Sequence, residues 1–163
     1  MESARLAVAE DLPSIEEINV RRRAEITDLR GGAGLLRREA GPVPVSAEIE
    51  RHMADRTALV VVGCYDDVVF GYGFAILESL LDGSCLARLN HFVVDSEARK
   101  SGIGEAMMNL LLELAAAEGC IGIDSLALPG DRDTKNFFES FGLKARLLTV
   151  HRSIDSGSAG GAE

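Results

Sequence analysis

One segment of this 163-residue chain leaves few folding choices: Val93-Val-Asp-Ser-Glu-Ala-Arg-Lys-Ser-Gly-Ile-Gly104 and the residues that follow it. Ile103, Met107, Leu110, Leu111 and Leu114 recur at i, i+4, i+7, i+8 and i+11, with Glu105, Asn109 and Glu113 opposite, which predicts an amphipathic helix. Gly119 stops it as a helix-ending glycine does. A strand therefore runs into a glycine loop that opens directly onto a helix. The unpaired N–H groups of a helix start, with the positive end of its dipole, favour an anion. Gly102 and Gly104 lack Cβ and would let a phosphate approach the backbone. Two glycines also fit a tight turn with no ligand, and spacing alone leaves both readings open. Two better-known phosphate loops are excluded: Met107 stands where a dinucleotide fingerprint needs glycine, and Gly104-Glu-Ala replaces the Gly-Lys-Ser/Thr of a P-loop.

The rest of the chain supplies strands and helices in alternation. Arg5–Ala9 reads as a short strand. Asp11-Leu-Pro-Ser-Ile then begins a helical stripe through Leu12, Ile15 and Ile18, with Ile26 beyond. Arg30-Gly-Gly-Ala-Gly34 breaks that helix, Gly41-Pro-Val-Pro44 is a loop, and Ser46–Glu50 starts a second helix. From Ala58 the period shortens. Ala58–Val62, Val68–Ile76 and Cys85–Val94, separated by Asp66-Asp67 and Asp82-Gly83, predict a three-stranded meander. Leu126–Leu128 and Ala145–Val150 are two further candidate strands. The predicted order is β-α-α-β-β-β-α-β-α-β, an α/β (α+β) mixed sheet flanked by helices. Residues 1–152 form one expected domain, and 153–163, ending in Ser156-Gly-Ser-Ala-Gly-Gly-Ala-Glu163, an expected disordered tail.

Composition narrows the function. At 47% hydrophobic residues the chain can bury one core without disulfides or a metal. Its net charge of −9 is shared by both parts of the chain, and it argues against a nucleic-acid binder working through a broad basic surface. No apolar run matches a membrane span and no signal-peptide pattern opens the chain, so a cytoplasmic protein without membrane partner is expected. Cys64, Cys85 and Cys120 show no CxxC or Cys/His ligand spacing. They read as buried thiols of a reducing compartment, with no metal site. Arg99-Lys100 is the only adjacent basic pair beyond Ala58 and concentrates positive charge at the loop.

Arg99-Lys-Ser-Gly-Ile-Gly104 resembles the R/Q-x-x-G-x-G/A motif of the GNAT superfamily of N-acetyltransferases. Asn136-Phe-Phe-Glu-Ser-Phe-Gly142 resembles that family's last-helix signature, and the element order is similar to its fold. The likeness spans roughly residues 4–152, and Ala127–Asn136 together with Arg30-Gly-Gly32 resembles a bacterial branch. The resemblance implies acetyl-CoA (coenzyme A) bound in a gap between two splayed parallel strands. Phe92, Val93 and Val94 would then pair with its pantetheine arm, and the amides of Arg99, Lys100, Ser101, Gly102, Ile103 and Gly104 would hold its pyrophosphate. Asn136 would hydrogen-bond the arm, and Phe137 and Phe138 would line its far end; core packing is the alternative for both and suits Phe137 and Phe141 better. The implied activity is transfer of an acetyl group to a primary amine of a small molecule, by direct attack in a ternary complex. A protein lysine or N-terminal acceptor, or a non-catalytic acyl-CoA-binding domain, are the alternatives.

The family's usual tyrosine acid falls on Phe138, which has no proton to give. Tyr72, in the hairpin beside the splayed strand, is the candidate stand-in, or else a packed tyrosine. His91 is the candidate base because imidazole titrates nearest neutrality, against a structural histidine; Glu78 is the second, against a solvated strand end. Strict alternation puts Leu89, His91 and Val93 on one face and Asn90, Phe92 and Val94 on the other. Polar Asn90-His91 inside an apolar strand marks a candidate site. Arg21-Arg-Arg23 is either a solvated helix face or a clamp for an acceptor's carboxylate or phosphate. Homodimer pairing through sheet edges or Leu147–Val150 is a further expectation, with ordinary core as the alternative.

Overall fold

In a computed structural model, described here over residues 1–154, the two periodicities resolve into a sheet with helices on both faces. The strands are β1 (Glu2–Leu6), β2 (Ala58–Tyr65), β3 (Val68–Ser79), β4 (Cys85–Val94) and β5 (Cys120–Ser125). The helices are α1 (Leu12–Thr27), α2 (Gly32–Arg38), α3 (Val45–Asp55), α4 (Ile103–Ala117) and α5 (Arg132–Ser140). The sheet order is β1-β2-β3-β4-β5, antiparallel throughout except for the parallel β4–β5 pair that α4 connects. This is the expected mixed α/β class. Among the described residues no helix is long and apolar enough to cross a membrane.

Each face of the sheet carries its own core. On one side Ile15, Ile18, Val45 and Ile49 of α1 and α3 pack on Val60, Val62, Tyr72 and Phe74. On the other, Ile103, Met107, Met108 and Leu111 of α4 pack on Val61, Ala75, Ala87 and Leu89. Helix α4 comes so close that a Cβ on Gly63 would sit 2.4 Å from both Ile103 and Met107, so glycine there is a packing requirement.

Several boundaries differ from the sequence expectation. The first strand ends at Leu6 because Asp11 pins the next turn, accepting bonds from the Val8 amide (2.8 Å) and from both Arg5 guanidinium nitrogens. The expected Arg30–Gly34 break ends at Gly31: helix α2 starts within it, after left-handed Gly31 at φ 76°, and buries Gly32 against Ile26. The strand expected at Leu126–Leu128 lies earlier, at Cys120–Ser125, directly after the Gly119 helix stop; Leu126–Leu128 has already left the sheet. Ala145–Val150 forms no strand among the described residues. Its β-rich composition takes no neighbouring edge, and Leu147 is 91% exposed. Of the expected tail 153–163, all but Ser153 and Ile154 lies outside the described residues.

The consequential departure is a β-bulge. Phe74 pairs with His91 and Ala75 with Leu89, so Asn90 has no partner on β3. One extra residue reverses the alternation. Leu89 faces α4, whereas His91 and Val93 face the opposite side with Tyr72 and Phe74. Strict alternation, which would put Leu89, His91 and Val93 together, fails at this residue.

Candidate active site

The parallel ladder ends at Leu89↔Ser125. Beyond it β4 continues to Val94, paired on its β3 side only, while the chain after β5 turns away through Leu126–Leu128. A cleft opens in the gap, enclosing about 90 Å³ between α1, α2, β4 and α5. Ile26, Leu35, Leu126 and Phe138 give it apolar walls, with Arg22, Glu39, Asn90 and Asp131 among the polar groups. Asn90 lines it with Oδ1 buried and without a hydrogen-bond partner. An unpaired buried acceptor is costly, and a donor from a ligand would relieve it.

Asn19, Arg23, Ala40 and His91 also line the cleft and, with Tyr72 enclosed behind them, form a polar cluster. The Asn19 amide donates to Tyr72 Oη at 2.7 Å, and Tyr72 donates onward to His91 Nδ1 at 2.7 Å. His91 Nε2–H donates to the Ala40 carbonyl at 3.1 Å, which fixes the neutral tautomer. Arg23 donates to Asn19 Oδ1 at 2.9 Å and to the Ala40 carbonyl at 2.7 Å. Burial, seconded by the Arg23 charge, pushes the His91 pKa down to about 4. Burial also raises the Tyr72 phenol above its ordinary range.

These facts correct two expectations. Both His91 ring nitrogens are engaged, and burial lowers the proton affinity of the ring, which weighs against its role as a base. Tyr72 is fully enclosed, off the cleft surface, and holds its proton for His91. Glu78 is corrected as well: it lies opposite Leu86, at the end of β3 away from the cleft, exposed and paired with Arg88 at 3.2 Å.

The loop after β4 turns sharply into α4. Asp95 caps the turn through the Glu97 amide at 3.2 Å and accepts from Arg21 at 2.9 Å. Against the opposing effect of burial, these bonds hold its carboxyl below the usual range. Lys100 and Gly102 are left-handed, at φ 67° and 92°, and Ser101 Oγ donates to the Ala98 carbonyl at 2.6 Å. Helix α4 then starts with no side chain capping its first amides. The Ile103 side chain is buried in the core, leaving its amide for the helix mouth. A Cβ on Gly104 would lie 3.3 Å from Phe137, so α5 closes against this turn.

Phe92 stacks on Phe137 with centroids 5.2 Å apart and meets Phe138 edge-on at 6.0 Å. Phe138 and Phe92 both face the cleft, Val93 borders it, and Val94 borders a smaller groove beside α1. Asn136 is exposed on α5. Arg99 donates to the Val94 carbonyl at 3.3 Å and pairs with Glu25, which also holds Arg22 at 3.1 Å. Arg22 in turn meets Asp131 at 2.7 Å, so a chain of ions runs from loop to cleft. Lys100 has no ion-pair partner among the described residues. Nor, among those residues, does any group of three or more His, Cys, Asp or Glu come together that could hold a metal ion.

Sequence reasoning missed Asn19, the Arg22–Asp131 pair and the α2 segment up to Ala40. A signal for Asn19 existed: it follows Ile15 at i+4, on the buried stripe of α1, where a polar side chain needs a partner.

Residues 25–143 match the Acetyltransferase (GNAT) family. No curated protein matches the sequence. Among solved structures, an acetyltransferase from Trypanosoma brucei is similar at 18% identity and TM-score 0.68, over 94% of this chain and 100% of that one. An aminoglycoside acetyltransferase from an uncultured soil metagenomic sample is similar at 15% identity and TM-score 0.70, over 95% and 99%. Glucosamine-6-phosphate N-acetyltransferase from Arabidopsis thaliana is similar at 15% identity and TM-score 0.66, over 95% and 99%. At such identities the likeness is one of fold.

Proposed function

The chain belongs to the acetyltransferase (GNAT) family, and from that premise we propose that it transfers an acetyl group from acetyl-CoA to a primary amine of a small molecule, by direct attack in a ternary complex. The observation that carries the proposal is the one-sided end of β4, running from His91 to Val94 toward an uncapped helix start. Acetyl-CoA supplies an activated acetyl thioester, and the residues present fit it. The free backbone of Phe92, Val93 and Val94 would hold the pantetheine arm. The amides from Arg99 to Gly104 would take the pyrophosphate, with Lys100 the nearby free cation. Asn136 and Phe138 would border the arm from α5. Arg99 would have to loosen from Glu25 to add its charge.

On the acceptor side, α1 and α2 roof the cleft, and Asn90 Oδ1, buried and unpartnered, would accept a hydrogen bond from the attacking amine once its side chain turned toward the cleft. Aligning amine and thioester in a small apolar cleft provides most of what such a reaction needs. His91, Tyr72 and Asn19 position the mouth of β4 rather than exchange protons. With Phe138 in place of an acid, water would take the proton that the amine loses and supply the one that the leaving thiol needs. Cytoplasmic residence completes the proposal.

The test is thiol release from acetyl-CoA across amines, amino acids and peptides. Release with small amines supports the proposal. Release with peptides alone moves the acceptor to protein. Coenzyme A binding without release for any acceptor favours the non-catalytic alternative, the one that Phe138 motivates.

A further inference from the structure

Cys85 opens β4 and Cys120 opens β5, and the two are direct partners in the parallel ladder. The sequence spacing shows no cysteine framework, yet the fold brings their Sγ atoms to 2.8 Å, well inside the contact distance of two non-bonded sulfurs. Both are free, half-buried thiols; Cys64 is enclosed in the core on the other face of the sheet. Neighbouring strands lie about 4.8 Å apart, within the roughly 4.4–6.8 Å that separates the Cα atoms of a disulfide. Facing residues of a parallel pair put their side chains on the same side, so a bond needs little backbone movement. The pair stands at the paired root of β4 and β5, away from the cleft at their other end.

We propose that Cys85 and Cys120 form a reversible dithiol–disulfide site, oxidised by a low-molecular-weight disulfide such as oxidised glutathione. The Cys85 thiolate attacks one sulfur of the small disulfide, whose S–S bond breaks and releases one thiolate, which takes up the proton lost by Cys85. Cys120 then loses its proton and attacks Cys85 Sγ, expelling the second glutathione as a thiol. Two protein thiols give up two electrons and two protons, and one small disulfide becomes two thiols. Burial and the adjacent Cys85 thiol push the Cys120 pKa up to about 11. The bond closes the chain between residues 85 and 120, a segment holding the Arg99–Gly104 loop and all of α4. Closing it restricts the unfolded chain and stabilises the folded one.

The proposal is independent of the acetyl-transfer reading and is tested on the full chain, equilibrated across ratios of reduced to oxidised glutathione, trapped by alkylation and mapped by mass spectrometry. The expected result is a Cys85–Cys120 cross-linked peptide pair that rises with the oxidised fraction, reverses with reductant, and leaves Cys64 free. The oxidised protein should melt about 5 °C or more above the reduced one, and Cys85→Ala or Cys120→Ala should abolish that shift. Both thiols still alkylated at the most oxidising ratio would overturn the site. So would a cross-link through Cys64 or between two chains, or a glutathione adduct on Cys85 that never closes. A bond that forms without raising the melting temperature overturns its stabilising role.

Discussion

The two halves of β4 share one strand and have opposite surroundings. From Cys85 to Leu89 the strand is paired on both sides, and its inward residues sit in an apolar core against α4. From His91 to Val94, past the unpaired Asn90, it is paired on one side only, and its inward histidine sits in a web of hydrogen bonds. The first half gives up the chance of a ligand for a complete ladder. The second leaves part of its backbone free to recognise one, at the cost of bonds that the ladder would have made. One bulged residue separates the two arrangements, and it also re-aims every side chain beyond it.

The sharpest way to break this contrast is to delete Asn90. His91 and Val93 would turn toward α4 and the polar cluster would lose its centre, so the cooperative thermal transition should disappear. Asn90→Ala, which keeps the bulge, should melt near the parent while losing acetyl-transfer rate. A deletion variant that melts like the parent would mean the bulge does not set the two halves apart. Next in size, Gly102→Val places a branched side chain at φ 92°, with a Cβ 3.2 Å from Glu2. Calorimetry should show coenzyme A affinity falling about 100-fold or more, and unchanged affinity would detach the loop from the ligand.

Tyr72→Phe removes the donor to His91 Nδ1 and the acceptor of the Asn19 amide. Urea unfolding should register a loss of about 1–3 kcal/mol. The same cluster predicts a pH effect. His91 titrates near 6.5 when unfolded and about 4 when folded. Between those values the unfolded chain binds a proton that the folded one refuses. Stability therefore falls as pH drops from 6.5 toward 4 and levels off below. His91→Gln, which can still accept from Tyr72 and donate to Ala40, should flatten that slope. The smallest effect belongs to Glu78→Gln at the paired end of the sheet, expected within about 0.5 kcal/mol of the parent with unchanged turnover. A large loss of activity there would restore Glu78 as a catalytic group.

Much of the architecture is readable from local pattern. The stripe from Ile103 to Leu114 and the run of β-branched strands carry their own periods, and Gly102 announces a left-handed turn because few other residues tolerate one. Asn90 is different. A bulge adds one residue without changing composition, so alternation counted along β4 passes through it and groups His91 and Val93 with Leu89, which lies on the other face. The fate of His91 is set by Asn19, Arg23 and Ala40, which reach it from α1 and the end of α2. Proximity between such distant segments is a tertiary fact, and it turned a candidate base into a buried anchor. Ala145–Val150 failed for the complementary reason: strand propensity counts for little without an edge to receive it.

The parallel β4–β5 pair also bears on how the chain comes to be folded. Strands β2, β3 and β4 join through short turns, so their pairing involves small loops that close quickly. Strand β5 reaches β4 only after the loop at Arg99–Gly104 and all of α4 have found their places. The cleft exists only once that long crossover is complete. A partly folded chain with its meander formed thus has no binding site, and recovery of coenzyme A binding during refolding should trail recovery of β-sheet signal.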